Sequence, residues 1–125
     1  MLKDVHTILP ATDLERARTF YHDKLGFDPS GEHDGLLVYG NGGPSFEIYE
    51  TPNAGSAQNT QMGWMTDDLD GEMAELRSRG VTFEDYDQPG LKTENGVFTG
   101  EELKTAWFRD SEGNYLCVSQ MLTSA

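Results

Sequence analysis

The sequence predicts an α+β chain made of two βαβββ modules, and three observations carry that expectation. Residues 4–27 (DVHTILPATDLERARTFYHDKLGF) read as a strand, a helix cap, an amphipathic helix and a stop. Residues 61–83 (QMGWMTDDLDGEMAELRSRGVTF) repeat the pattern more weakly. Short runs of alternating hydrophobicity follow each copy. When the two are overlaid, Asp13-Leu14 falls on Asp68-Leu69, Gly26-Phe27 falls on Gly80-Val81 with one residue of slippage, and His6 falls on Gln61. Two copies make a pseudo-twofold domain rather than a solenoid. At 125 residues the chain is expected to form one domain over 1–125, with one module at about 1–52 and the other at about 60–122.

Residues 2–9 are rich in Val, Ile, Leu and Thr and read as a strand that Pro10 and Ala11 break. Thr12 is the expected N-cap, with Glu15 reaching back as a capping box and Asp13 adding negative charge at the positive helix end. Leu14, Ala17, Tyr21 and Leu25, with Phe20 beside them, form one apolar face. Gly26 supplies the left-handed stop. Residues 31–35 (GEHDG) read as a turn, with His33 in an exposed loop, and His22 is expected to reach solvent. Residues 36–39 and 45–50 are strands joined through the glycine-rich stretch 40–44. The pleat sends Phe46 and Ile48 one way and Ser45, Glu47 and Tyr49 the other.

A polar linker, residues 51–60, separates the halves. In the second copy Leu69, Met73 and Leu76 make the helix stripe and Gly80 ends it, while Asp67, Asp68 and Asp70 read as caps rather than as a metal cluster. Trp64 is expected in the core. Residues 81–84 read as a strand, and residues 85–103 show no periodicity, the pattern of a lid. Strands at 105–109 and 115–120 flank a tight turn at Gly113-Asn114. Leu116 and Val118 face one way, and Tyr115, Cys117 and Ser119 the other, so Cys117 is the repeat partner of Glu47.

Charge limits the partners. A formal net charge of -13, from 22 acidic and 9 basic residues, opposes binding to nucleic acid or an anionic membrane and permits a cationic ligand. A solvated acidic surface is the simplest account of it. The single cysteine, Cys117, excludes a disulfide framework and a CxxC zinc site. With no secretory pattern and no apolar run approaching ~18 residues, a soluble cytoplasmic protein is expected.

Both halves read β-α-β-β-β, and the chain resembles the vicinal oxygen chelate superfamily, the group of glyoxalases, bleomycin-resistance proteins and extradiol dioxygenases. The residues that carry the likeness are Ala11-Thr12-Asp13-Leu14-Glu15-Arg16-Ala17, Phe20-Tyr21, Leu25-Gly26-Phe27, Asp67-Asp68-Leu69-Asp70, and the run from Trp107 through Arg109-Asp110-Ser111-Glu112-Gly113-Asn114 to Leu116. The resemblance implies a cupped mixed sheet with helices on its convex face, a small-molecule cavity in its concave face, and a homodimer. It also places metal ligands at His6, Glu47 and Gln61, with Cys117 in the fourth position, and makes Glu47 the candidate catalytic residue. The implied cofactor is one divalent metal (Zn, Ni, Co, Mn or Fe) or none.

A thiol at the fourth position replaces the carboxylate that a glyoxalase I uses as ligand and base, and one histidine is too few for an iron dioxygenase. Without a metal, His6 and Glu47 would pair, Gln61 would satisfy a backbone group, and Cys117 would pack as a small apolar residue. Tyr49, Tyr115, Ser45 and Ser119 share the cavity face and are the candidate ligand-binding residues. Three classes of function follow: a metal-free binding protein for a small, preferably cationic, molecule; a metal-dependent lyase or epimerase using His6 and Glu47; and a domain that acts by protein association.

Overall fold

The computed structural model describes residues 1–3, 5–40 and 45–122. Of the glycine-rich connection expected at 40–44, residues 41–44 lie outside them. The chain forms two compact units. The first takes Met1–Gln58 together with Asp110–Asn114, and the second takes Asn59–Arg109 and the chain from Tyr115 onward.

The first unit holds β1 (Thr7–Ala11), α1 (Leu14–Leu25), β2 (Gly31–His33), β3 (Leu36–Tyr39) and β4 (Phe46–Glu50). Its sheet runs β1-β4-β3-β2, with β1 parallel to β4 and the other pairs antiparallel. The first strand is shifted from the expected 2–9 and includes Pro10 and Ala11. Because β1 is an edge strand, the N–H that proline lacks is one the ladder can do without. The expected turn at 31–35 is instead a strand and a tight hairpin. Asp34 and Gly35 take φ of 50° and 77°, the positive values a two-residue hairpin requires. Leu9, Ala11, Leu37, Tyr39, Phe46 and Ile48 are buried on one face, where Tyr39 stacks on Phe46 and Tyr21 of α1 packs against both.

Helix α1 begins one residue later than expected. Asp13 is the N-cap and accepts the Arg16 N–H at 3.0 Å, while Glu15 points to solvent. The Thr12 N–H, like that of Asp13, donates to Glu112 at 3.0 Å, a partner 100 residues away. A capping box at Thr12 is therefore superseded by a carboxylate from a distant turn. Arg16 Nε also donates to Glu112 at 2.8 Å, as does the Ser111 hydroxyl at 2.9 Å. The same turn receives the Tyr21 hydroxyl at Asp110 (2.6 Å), and the Asn114 amide reaches the Pro10 carbonyl (2.9 Å). Gly26, with φ of 78°, ends the helix as expected.

The second unit holds β5 (Thr60–Met65), α2 (Leu69–Ser78), β6 (Asp87–Gln88), β7 (Leu91–Lys92), β8 (Val97–Thr99), β9 (Leu103–Arg109) and β10 (Tyr115–Met121). Its main sheet runs β5-β10-β9-β8, the same order as the first. Asp68 caps α2 by accepting the Gly71 N–H, and Leu69, Met73 and Leu76 form its buried stripe. The strand expected at 81–84 reduces to one bridge, Phe83 to Phe108. Residues 85–103 contain a small hairpin, β6-β7, and the edge strand β8. Asp85 fixes this segment by accepting the Thr93 hydroxyl and the Gly96 N–H, each at 2.8 Å. No helix among the described residues is long and apolar enough to cross a membrane.

Burial alone pushes the Glu112 carboxyl pKa up, but Arg16, the Asp13 N–H and the Ser111 hydroxyl outweigh it and bring it from 4.5 down to about 2. A depressed folded-state pKa stabilises the protein above the ordinary value, and that contribution fades as pH falls from 4.5 toward 2. The carboxylate is buried but its partner Arg16 is half-exposed, so solvent screening reduces the contribution to about 1–2 kcal/mol. Glu112→Gln should lower the stability to urea by about that amount at pH 7 and converge on the wild type in acid. Denaturation curves at pH 7, 4 and 2.5 check this; an equal loss at every pH would assign the effect to packing.

Candidate functional site

Opposite its buried face, each sheet presents an open one. In the first unit the pairing of Ile8 with Glu47, Pro10 with Tyr49 and Val38 with Glu47 puts these residues on the same side. Ile8 is 51% exposed and Tyr49 42%. His6, just before β1, reaches Glu47, with Nδ1 2.9 Å from Oε1. Ser45 precedes β4, and His33, at the end of β2, is exposed as expected.

His6 and Glu47 thus meet as the sequence anticipates. Among the described residues, however, no group of three or more His, Cys, Asp and Glu side chains converges in a way that could hold a metal ion. Two donors leave a divalent-metal centre incomplete.

In the second unit the ladder shifts register between Tyr115 and Leu116. Thr60 pairs with Tyr115 and Met62 with Leu116, so Gln61 is the extra residue of a bulge. Its side-chain oxygen accepts the Tyr115 N–H at 3.1 Å, filling a gap in the ladder. Cys117 pairs with Gly63 on one side and Trp107 on the other, and Ser119 pairs with Met65 and Thr105. These residues line one face, opposite buried Leu116, Val118, Ala106 and Phe108. Trp64 stacks on Phe108 on the core side, as expected.

Gly63 is a matched gap. A Cβ placed there would collide with Cys117 Sγ and lie 3.0 Å from the Cys117 carbonyl oxygen. The thiol therefore fills the space that glycine leaves. Burial pushes its pKa up, a shift the Ser119 hydroxyl partly offsets, so it stays protonated and packs as a small apolar group. The Ser119 hydroxyl is also within 2.8 Å of that of Thr105.

Beside this notch stands a group of rings. The indole N–H of Trp107 donates to the Thr60 hydroxyl at 3.0 Å, which fixes the ring's orientation. Tyr86 meets it edge-on, with centroids 5.7 Å apart at 80°, and Phe98 is tilted at 53° and 6.4 Å. Trp107, Tyr86, Phe98 and Tyr115 are all half-buried. The Arg109 guanidinium lies 5.2 Å over the Tyr115 ring and donates to Glu84 at 2.7 Å.

The sequence matches the Glyoxalase/Bleomycin resistance protein/Dioxygenase superfamily over residues 5–118. The chain belongs to that superfamily. No curated protein matches it. Among solved structures, UcmS2 is 19% identical with a TM-score of 0.73, over 95% of this chain and 98% of that one. TnmS3, an antibiotic binding protein from Streptomyces sp. CB03234, is 25% identical with a TM-score of 0.70, over 97% and 98%. A bleomycin-binding protein complexed with bleomycin is 20% identical with a TM-score of 0.65, over 95% and 98%. The α+β fold of two βαβββ-like modules in mixed sheets is the fold of these superfamily structures.

Tyr86, Phe98 and Gly63 are absent from the residues singled out in sequence, and Trp107 stands there among the residues that carry the family likeness but not among the candidate ligand-binding ones. Trp107 was within reach, since it alternates with Phe108 and lies across from Cys117. Tyr86 and Phe98 lie in the aperiodic segment and carry no such signal. Gly63→Ala should destabilise the chain by about 1–3 kcal/mol, and Cys117→Ala in the same chain should recover part of the loss, because the thiol is the more mobile of the two obstacles. Thermal melts of the single and double variants test this, and simple additivity would disprove the steric coupling.

Proposed function

We propose that this protein is a non-catalytic binder of an aromatic small molecule, which it holds on the open face of its second sheet. The observation that carries the reading is the set of half-buried rings around Trp107, next to a floor left low by Gly63 and lined by a protonated thiol. Such a surface offers a planar ligand a large apolar area and ring edges for offset or edge-to-face contact. Tyr115 and Ser119 belong to the same face, whereas Tyr49 and Ser45 extend the open side of the first sheet. TnmS3 and the bleomycin-binding protein, described as binding an antibiotic and bleomycin, support a sequestering role over catalysis.

The test uses tryptophan fluorescence in a Trp64→Phe background, so that Trp107 is the only reporter. Titration with a panel of planar aromatic antibiotics should give saturable quenching by at least one compound, and Trp107→Leu, followed by calorimetry, should weaken that binding about tenfold or more. A panel without any saturable quenching would overturn the reading.

The 2.9 Å contact of His6 with Glu47 favours a second reading, a metal-dependent lyase or epimerase. Elemental analysis after loading with Zn, Ni, Co, Mn or Fe(II) distinguishes the two. Retention of about one metal per chain, abolished by His6→Ala with Glu47→Ala, would put the enzyme first. The binding reading expects no stoichiometric retention and an unchanged fold in the double variant.

A further inference from the structure

We propose that the angle between the Trp107, Tyr86 and Phe98 rings is a receptor for a methylated ammonium group, so that the ligand is an organic cation. The inference rests on the binding reading above and specifies the charge of what is bound. A planar aromatic ligand needs only one ring as its wall, which leaves the others for a charged substituent. Here Tyr86 stands at 80° to Trp107 and Phe98 at 53°. Rings set at steep angles to one another form a corner, where a compact, weakly hydrated cation can lie against one face and near a second ring. With centroids 5.7 and 6.4 Å from that of Trp107, one group can lie within the ~6 Å reach of more than one ring.

Two further observations point to a cation. One of the rings on this face already carries one, since the Arg109 guanidinium lies over Tyr115 at 5.2 Å. That arginine does not oppose a second positive charge outright, because Glu84 neutralises it at 2.7 Å. Tyr86 is flanked in sequence by Glu84, Asp85 and Asp87, within a chain of net charge -13. Burial raises the Tyr86 pKa, and the Glu84 charge raises it further while that of Arg109 lowers it. Methylated ammonium suits the place better than a primary amine, because ring faces offer no hydrogen-bond acceptors to replace lost water.

The probes are choline and its neutral isostere 3,3-dimethylbutan-1-ol, titrated against the full chain while the indole N–H resonance of Trp107 is followed by NMR. Choline should shift that resonance saturably and bind at least about tenfold more tightly than the neutral alcohol. Glu84→Gln should weaken choline several-fold and leave the alcohol unchanged, since it unmasks Arg109 without touching the rings. Equal affinity for the two probes would overturn the cation assignment. If neutral planar aromatics quench Trp107 and choline leaves it undisturbed, the binding reading stands and the cation receptor falls. If no probe of either kind perturbs Trp107, both fall.

Discussion

The first unit depends on one carboxylate. Helix α1 starts with backbone donors that need partners, and Glu112 takes those of Thr12 and Asp13 while forming an ion pair with Arg16. A buried carboxylate would ordinarily be a liability, because burial disfavours its charge. Here three kinds of donor reverse the balance, and the charged form becomes the stable one. Asp110 extends the arrangement inward to Tyr21, which in turn fixes the ring cluster over β3 and β4. Helix entry, sheet core and turn are thus joined through two acidic side chains of one five-residue turn.

The open faces follow from the strict alternation of the two central strands. Once Phe46 and Ile48, or Leu116 and Val118, are committed to the core, their neighbours must point away from it. What those neighbours are then decides the chemistry. In the first unit they pair a histidine with a glutamate among apolar side chains. In the second they combine a thiol, a tryptophan and a gap at glycine, a composition better suited to contact than to proton or metal chemistry. Rings rather than donors distinguish that second face.

Local signals were readable in the sequence, and non-local ones were not. Gly26 and Gly80 stop their helices where expected, and the alternation in 45–50 and 115–120 places buried and open residues correctly, because each depends only on nearby residues. The cap at Thr12 could not be foreseen, since its competitor is 100 residues away. Residues 31–33 form a strand because β3 lies beside them, and three residues are too few to show a period. Gln61 illustrates the subtler failure. A pleat count assumes an unbroken ladder, and one bulge changes what its amide faces. The meeting of His6 with Glu47 was legible from the family resemblance, whereas Tyr86 and Phe98 reach Trp107 through a segment that Asp85 holds in place.

The first unit is discontinuous in the chain, and this sets an order of events during synthesis. A ribosome releases residues 1–58 long before Asp110 and Glu112 have been made. Until then α1 has an unfinished entry, the Tyr21 hydroxyl lacks its acceptor, and the ring cluster lacks its anchor. Neither unit can be completed until late in synthesis, the first needing residues 110–114 and the second its central strand β10, so the aromatics of the earlier half wait in the nascent state for the later half to be translated.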